Sequence, residues 1–247
     1  MNLDNLVAKG NTAEIYLLDG KIVKLFYSKY NNNEAEYEAN NQRIARACGL
    51  SVPQVFDVIK VNRQQAIVME YIEGNSIGEL VKENENLANY HLSNSVDIQI
   101  DIHSKTISGI ENMKDKFTSQ IQRADLLCDT EKIKIGNYLE ELPLGNKLCH
   151  GDYHVFNVLV SEKDTFIIDW ADASVGNPCA DACRSYILYS EYSVDFANRY
   201  IEIYCEKSGI SSDEILCWTP VISSARLSED IPAKAKDNLL KKIKLFL

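Results

Sequence analysis

The sequence predicts an α+β fold, with a small antiparallel sheet first and a larger, mainly helical part after it. Two observations predict it. Up to about Tyr71, short alternating apolar segments are separated by turn formers, which is strand-and-turn patterning. From Ile77 onward the apolar spacing becomes helical. The 247 residues, 45% of them hydrophobic, suffice for one large domain or two lobes. The change of pattern sets the expected division at residues 1–72 and 73–247.

Leu6–Phe26 reads as a β-hairpin around the two-residue turn Asp19-Gly20. Lys21-Ile22-Val23-Lys24-Leu25-Phe26 alternates, so Lys24 faces opposite to Val23 and Leu25. Glu34–Cys48 reads as a helix with acids early and Arg43 and Arg46 late, which suits the macrodipole, and Gly49 ends it. Pro53–Ile59 and Gln65–Tyr71 read as further strands, and Glu73-Gly74-Asn75-Ser76 as a hinge. Helices are expected from Ile77, over Asn89–Lys105, Met113–Leu127, Asp181–Tyr189 and Val194–Lys207, after a cap at Ser212-Asp213-Glu214, and over Asp237–Leu247.

The net charge of −10 argues against a nucleic-acid or anionic-membrane partner; it suits solubility and would also suit a cationic substrate. No apolar run follows a basic start, so no signal peptide is expected, and no uncharged apolar stretch approaches the ~18 residues of a membrane span. The seven cysteines lack a disulfide framework, as expected of reduced thiols in a cytoplasm. Cys179 and Cys183 could share a helix face, but no second pair at zinc spacing accompanies them, so small buried thiols are expected.

The chemistry concentrates in Leu148-Cys149-His150-Gly151-Asp152-Tyr153-His154-Val155-Phe156-Asn157-Val158-Leu159-Val160 and in Phe166-Ile167-Ile168-Asp169-Trp170. Asp152, Asn157 and Asp169 stand at the mouths of two short apolar strands. Phosphoryl transfer needs such a set: one carboxylate to orient a hydroxyl and accept its proton, and an amide with a second carboxylate to hold Mg²⁺ on nucleotide phosphates. Upstream, the Gly10-Asn11-Thr12-Ala13 loop precedes a strand bearing Lys24, which could reach the α- and β-phosphates. Taken alone, Lys24 reads as a solvated strand lysine; the loop before it is what gives it the phosphate reading. Glu34, Glu36 and Glu38 all compete to pair with it.

His150-Gly151-Asp152 with Asn157, followed by Ile168-Asp169-Trp170 with Gly176, Pro178 and Asp181, resembles the aminoglycoside phosphotransferase and choline kinase-like family. The resemblance implies a two-lobed protein-kinase-like fold, with a nucleotide-binding N-terminal lobe and hinge and a C-terminal lobe carrying the catalytic loop and acceptor site. It makes Asp152 the catalytic aspartate, Asn157 and Asp169 the Mg²⁺ ligands, and Lys24 the phosphate-binding lysine, with Glu38 best placed to pair with it. Gly10 and Thr12 would cover the phosphates, Met69 would back the adenine pocket, and the backbone of Glu70 and Ile72 would bond the adenine edge. Asp181 would brace the catalytic loop, His103 would pack against that loop, and His150 would be its scaffold. Gly151 stands where protein kinases carry arginine, and no Ala-Pro-Glu segment follows Asp169, which points to a small-molecule kinase.

The expected enzyme transfers the γ-phosphoryl group of ATP, or of GTP, to a hydroxyl of a small molecule such as an aminoglycoside. Choline, ethanolamine, homoserine, a sugar and a macrolide are the alternatives, and a nucleotide-binding pseudokinase is the alternative of another class. Candidate acceptor residues are Asp172, Trp218, Arg226, Glu229 and Asp230. Acids there would suit a polycation and aromatic faces a quaternary ammonium; the tail offers both.

Overall fold

Residues 5–29 and 33–247 are described by the structure, a computed structural model. The first sheet is built from Leu6–Lys9 (β1), Ala13–Leu18 (β2), Lys21–Phe26 (β3), Val55–Val61 (β4) and Gln64–Glu70 (β5), in the order β1-β2-β3-β5-β4. Every neighbouring pair is antiparallel. Asp19 and Gly20 both take positive φ, 48° and 71°, as the tight β2–β3 turn requires.

Glu34–Ala47 (α1) covers one face of this sheet. Its buried stripe is Ala35, Glu38, Ala39, Gln42 and Ala45, the spacing of one helical face. Ala35 and Ala39 share a core cluster with Phe26, Ile67 and Met69, and Ile22 packs against it. Val23 and Leu25 belong to a separate cluster on the other face. Strand alternation therefore puts Lys24 on the face of Ile22 and Phe26, toward α1.

Asn75–Ser76 (β6) and Ile77–Glu83 (α2) follow. The stretch read as a hinge thus carries a two-residue strand. Ser76 also closes a capping box with Glu79, whose carboxylate accepts the Ser76 N–H at 2.7 Å. A Cβ on Gly74 would stand 2.1 Å from the Val160 carbonyl oxygen, a backbone atom that cannot swing away. Gly74→Ala is expected to cost about 1–3 kcal/mol of stability, read as a lower denaturant midpoint at unchanged slope.

The rest of the chain contains Ala88–Ser104 (α3), Met113–Arg123 (α4) and Asp129–Glu141 (α5), then Lys147–Cys149 (β7), Val158–Val160 (β8), Thr165–Ile167 (β9) and Ser174–Gly176 (β10). Pro178–Tyr192 (α6), Val194–Ser208 (α7), Ser212–Leu216 (α8), Thr219–Arg226 (α9) and Ala233–Lys244 (α10) complete it. β6, β8 and β9 form one antiparallel sheet, and β7 pairs with β10.

Several bounds differ from the sequence expectation. The helix expected to run to Leu127 stops at Arg123, and α5 begins separately at Asp129. α6 starts at Pro178 rather than Asp181, because Asn177 caps it through the Cys179 N–H and proline is tolerated in the first turn. The cap of α8 is Ser211, not Ser212. α9, not expected at all, is buried from Pro220 to Arg226 and packs against α4, α5, α6 and α10.

The chain forms two compact units. One takes the described residues up to His91 with Val155–Asp172; the other takes Leu92–His154 with Ala173–Leu247. They differ from a single cut after Ile72, because β8 pairs with β6 and joins the sheet-bearing unit. Among the described residues no helix is long and apolar enough to cross a membrane.

Candidate active site

In the sheet-bearing unit, Lys24 Nζ donates to Glu38 Oε1 at 2.7 Å, to Glu38 Oε2 at 2.9 Å and to Asp169 Oδ1 at 3.0 Å. Lys24 and Glu38 are buried, whereas the Asp169 side chain is 43% exposed. Burial lowers the Lys24 pKa, but the Asp169 and Glu38 carboxylates outweigh it, so the amine stays protonated. Burial pushes Glu38 up, against the pull of Lys24.

Asn157 and Asp169 stand at the same end of the β8–β9 hairpin. Val158 pairs with Ile167, and the Ile168 N–H donates to the Asn157 carbonyl at 3.0 Å. Asp169 has φ +65°, in the left-handed region that disfavours non-glycine residues. Buried Trp170 pins this turn: its Nε1 donates to Ile167 O at 3.1 Å, and its own carbonyl accepts from Asn41 Nδ2 of α1 at 3.1 Å. The amide and carboxylate side chains of Asn157 and Asp169 are the hard oxygen donors that Mg²⁺ takes.

In the helical unit, β7 runs directly into His150-Gly151-Asp152. Asp181, in the first turn of α6, accepts the Gly151 N–H through Oδ1 at 2.7 Å and the His150 N–H through Oδ2 at 3.1 Å. His103 Nε2 donates to Asp181 Oδ2 at 2.9 Å, and its Nδ1 is hydrogen-bonded with the Tyr204 hydroxyl at 2.8 Å. Burial opposes ionisation of Asp181, but the His103 hydrogen bond and charge hold its carboxyl below the usual range. His103, Cys149 and Asp181 bring ligand atoms within 4.8 Å of one another. Both His103 nitrogens and both Asp181 oxygens are already hydrogen-bonded, so the cluster is a brace. Gly151 takes φ +79°, which an arginine would occupy only with strain. His150 Nδ1 accepts the Asp152 N–H at 3.2 Å.

The Asp152 side chain is 28% exposed. Its Oδ1 faces Arg184 Nη2 at 3.4 Å and its Oδ2 faces His154 Nε2 at 3.6 Å. Burial alone would raise its pKa; the nearby His154 ring and the Arg184 charge hold it well below the usual carboxylate range. A half-buried, ionised carboxylate on a braced loop can accept a hydroxyl proton.

The sequence profile of the phosphotransferase enzyme family (APH) matches residues 5–215. The chain belongs to that family. No curated protein is significantly similar to it in sequence. The choline kinase LicA from Streptococcus pneumoniae superposes with a TM-score of 0.67 at 18% identity, covering 99% of this chain and 94% of that one. A choline/ethanolamine kinase family protein from Mesorhizobium loti gives 0.65 at 16% identity, covering 99% and 87%. A thermostable mutant of aminoglycoside phosphotransferase APH(4)-Ia, in a ternary complex with ADP and hygromycin B, gives 0.67 at 13% identity, covering 97% and 89%. At these identities the likeness establishes the protein-kinase-like fold.

The remaining candidates are placed as follows in this family member. The Gly10 N–H donates to Ala13 O at 2.9 Å across the β1–β2 loop, and the Thr12 carbonyl accepts the N–H of Tyr27, just past β3, at 3.0 Å. Met69 is buried against α1, with Gln42 Nε2 at 3.7 Å from its sulfur. The Glu70 N–H is engaged by Gln54 O, so an adenine contact from Glu70 falls to its carbonyl. Ile72 is half-buried just after β5, and Asp172 is half-buried in the sheet-bearing unit. Trp218 is in the core of the other unit, and its Nε1 has no hydrogen-bond partner among the described residues. Asp230 is exposed, whereas Arg226 is buried and paired with Glu191 and Glu229. Sequence reasoning missed Asn41, Arg184 and Glu191.

Proposed function

We propose that this family member transfers the γ-phosphoryl group of ATP, with GTP as an alternative donor, to a hydroxyl of a small molecule. The observation that carries this is Lys24, a buried ammonium fixed by Glu38 and also bonded to Asp169. Lys24 orients the α- and β-phosphates, and Glu38 keeps its ammonium in place. Asn157 and Asp169 would hold Mg²⁺, which when bound neutralises charge on the phosphates. Asp152 accepts the proton of the acceptor hydroxyl. The hydroxyl oxygen bonds to the γ-phosphorus, the bond to the β–γ bridging oxygen breaks, and ADP leaves with that electron pair.

Thermal shift with Mg-ATP, followed by a phosphoryl-transfer screen, tests this. A ligand at a hundred times its Kd stabilises by about 2.7 kcal/mol. Wild type is expected to show such a shift and Asp169→Ala to lose it. Transfer is expected to one class among hygromycin B, other aminoglycosides, choline, ethanolamine, homoserine, sugars and macrolides. Stabilisation without transfer to any acceptor or to water would mark a nucleotide-binding module, and no stabilisation would remove the nucleotide from the proposal.

A further inference from the structure

Beside the candidate base lies a run of alternating charges. Arg184 Nη2 faces Asp152 Oδ1 at 3.4 Å, and Arg184 Nη1 donates to Glu229 Oε1 at 2.7 Å. The other oxygen of Glu229 accepts from Arg226 Nε at 3.4 Å, and Arg226 continues to Glu191 through Nη1 and Nη2. The arginine side chains are only 7% and 4% exposed. A guanidinium so buried is destabilising unless carboxylates meet it. The pairing follows from the helices. Arg184 and Glu191 are seven residues apart on α6, hence on one face. Arg226 ends α9 and Glu229 lies just past it, so plus and minus on one helix meet minus and plus from the other.

We propose that Arg184 is a positioning residue for phosphoryl transfer: one end of its fork holds Asp152 through Oδ1, and Glu229, Arg226 and Glu191 hold its other end. The inference rests on Asp152 being the base. A planar fork can address two carboxylates at once, which a single ammonium cannot do with the same geometry. Both Glu229 oxygens lie on arginines, so this carboxylate supports Arg184 rather than meeting the acceptor. Among the groups facing Asp152 are Arg184 from α6 and His150 and His154 from its own loop, with Asp181 one hydrogen bond further away at the His150 N–H. Of the groups that oppose the burial of Asp152, Arg184 is the one with a permanent charge.

The experiment is the pH dependence of Mg-ATP hydrolysis with water as acceptor, on the full chain. Arg184→Ala is expected to lower turnover at least ~10-fold, the lower end of what a misplaced group costs, at unchanged KM for ATP. It is also expected to bring an acid limb above pH ~4, the ordinary carboxylate value. Arg184→Lys should return the limb toward its wild-type position while recovering only part of the turnover. Glu229→Gln keeps the volume and the Arg184 charge, and should lower turnover with KM unchanged; it decides the matter if Arg184→Ala does not fold. Wild-type turnover in these variants, or a loss in Arg184→Ala with an unmoved acid limb, overturns the positioning role. Asp152→Ala separates the two levels. If it turns over at the wild-type rate, the assignment of the base fails; if wild type does not hydrolyse ATP, the same variants are compared with the acceptor found in the transfer screen. If it is inactive while the Arg184 variants match wild type, only the positioning role fails.

Discussion

Asp152→Ala is expected to lower phosphoryl transfer by about 10²–10⁴, the usual worth of a positioned base, while Mg-ATP affinity stays within error. The reason lies in where its contacts run. The Asp152 carboxylate meets Arg184 and His154, whereas the proposed phosphate-holding set is Lys24, Glu38 and Asp169. The substitution leaves that set's bonds untouched. Folding should survive, because Arg184 keeps Glu229 at 2.7 Å. Calorimetry with Mg-ATP and steady-state kinetics with the accepted substrate check both halves. Turnover at the wild-type rate would strip Asp152 of its role, and a large loss of nucleotide affinity would move it into the nucleotide site.

Asp181→Ala is expected to be among the most destabilising single changes, at about 3–5 kcal/mol for removing one partner of a buried charged pair. Its side chain is fully buried, and three donors converge on it: the His150 and Gly151 N–H groups and His103 Nε2. Alanine would leave all three desolvated, at ~1–3 kcal/mol for each unsatisfied neutral donor, partly relieved by rearrangement. Chemical denaturation should show a lower midpoint at unchanged slope. The pH dependence has a definite sign. The folded Asp181 pKa is depressed, so its contribution is complete above the unfolded value of ~3.9 and is lost as pH falls through the folded value. The stability gap between wild type and Asp181→Asn should therefore narrow below pH ~4. A loss under about 1 kcal/mol for Asp181→Ala would mean that other groups brace the loop.

Local signals in the sequence carried most of the sheet. Asp19-Gly20 demands positive φ and finds it, and alternation along β3 separates Lys24 from Val23 and Leu25. The choice among Glu34, Glu36 and Glu38 was also latent there. Only position 38 shares the stripe of Ala35, Ala39, Gln42 and Ala45, and a glutamate within an alanine stripe must face a cation. What stayed hidden is non-local. Arg184 looks like one charge on an apolar helix until α9 places Glu229 against it, and α9 itself is eight residues with proline in its first turn, too short for periodicity to show. Trp218 carries the opposite lesson. An aromatic near acids suggested an acceptor wall, yet the ring is core.

The segment Val155–Asp172 belongs to the sheet-bearing unit, although the chain enters it from the helical unit and leaves it again at Ala173. That threading dictates an order of events during synthesis. The first sheet, with α1 and Lys24, is complete in sequence by residue 70, but Asn157 and Asp169 emerge only after α3, α4, α5 and β7. The contact between Lys24 and Asp169 spans 145 residues. It must await closure of that long loop, a slow step in topologies rich in distant contacts. Glu38 is therefore the acid partner available to Lys24 in the nascent sheet, and Asp169 joins late. A fragment ending at His91 would retain the lysine with its glutamate but lack both expected metal ligands.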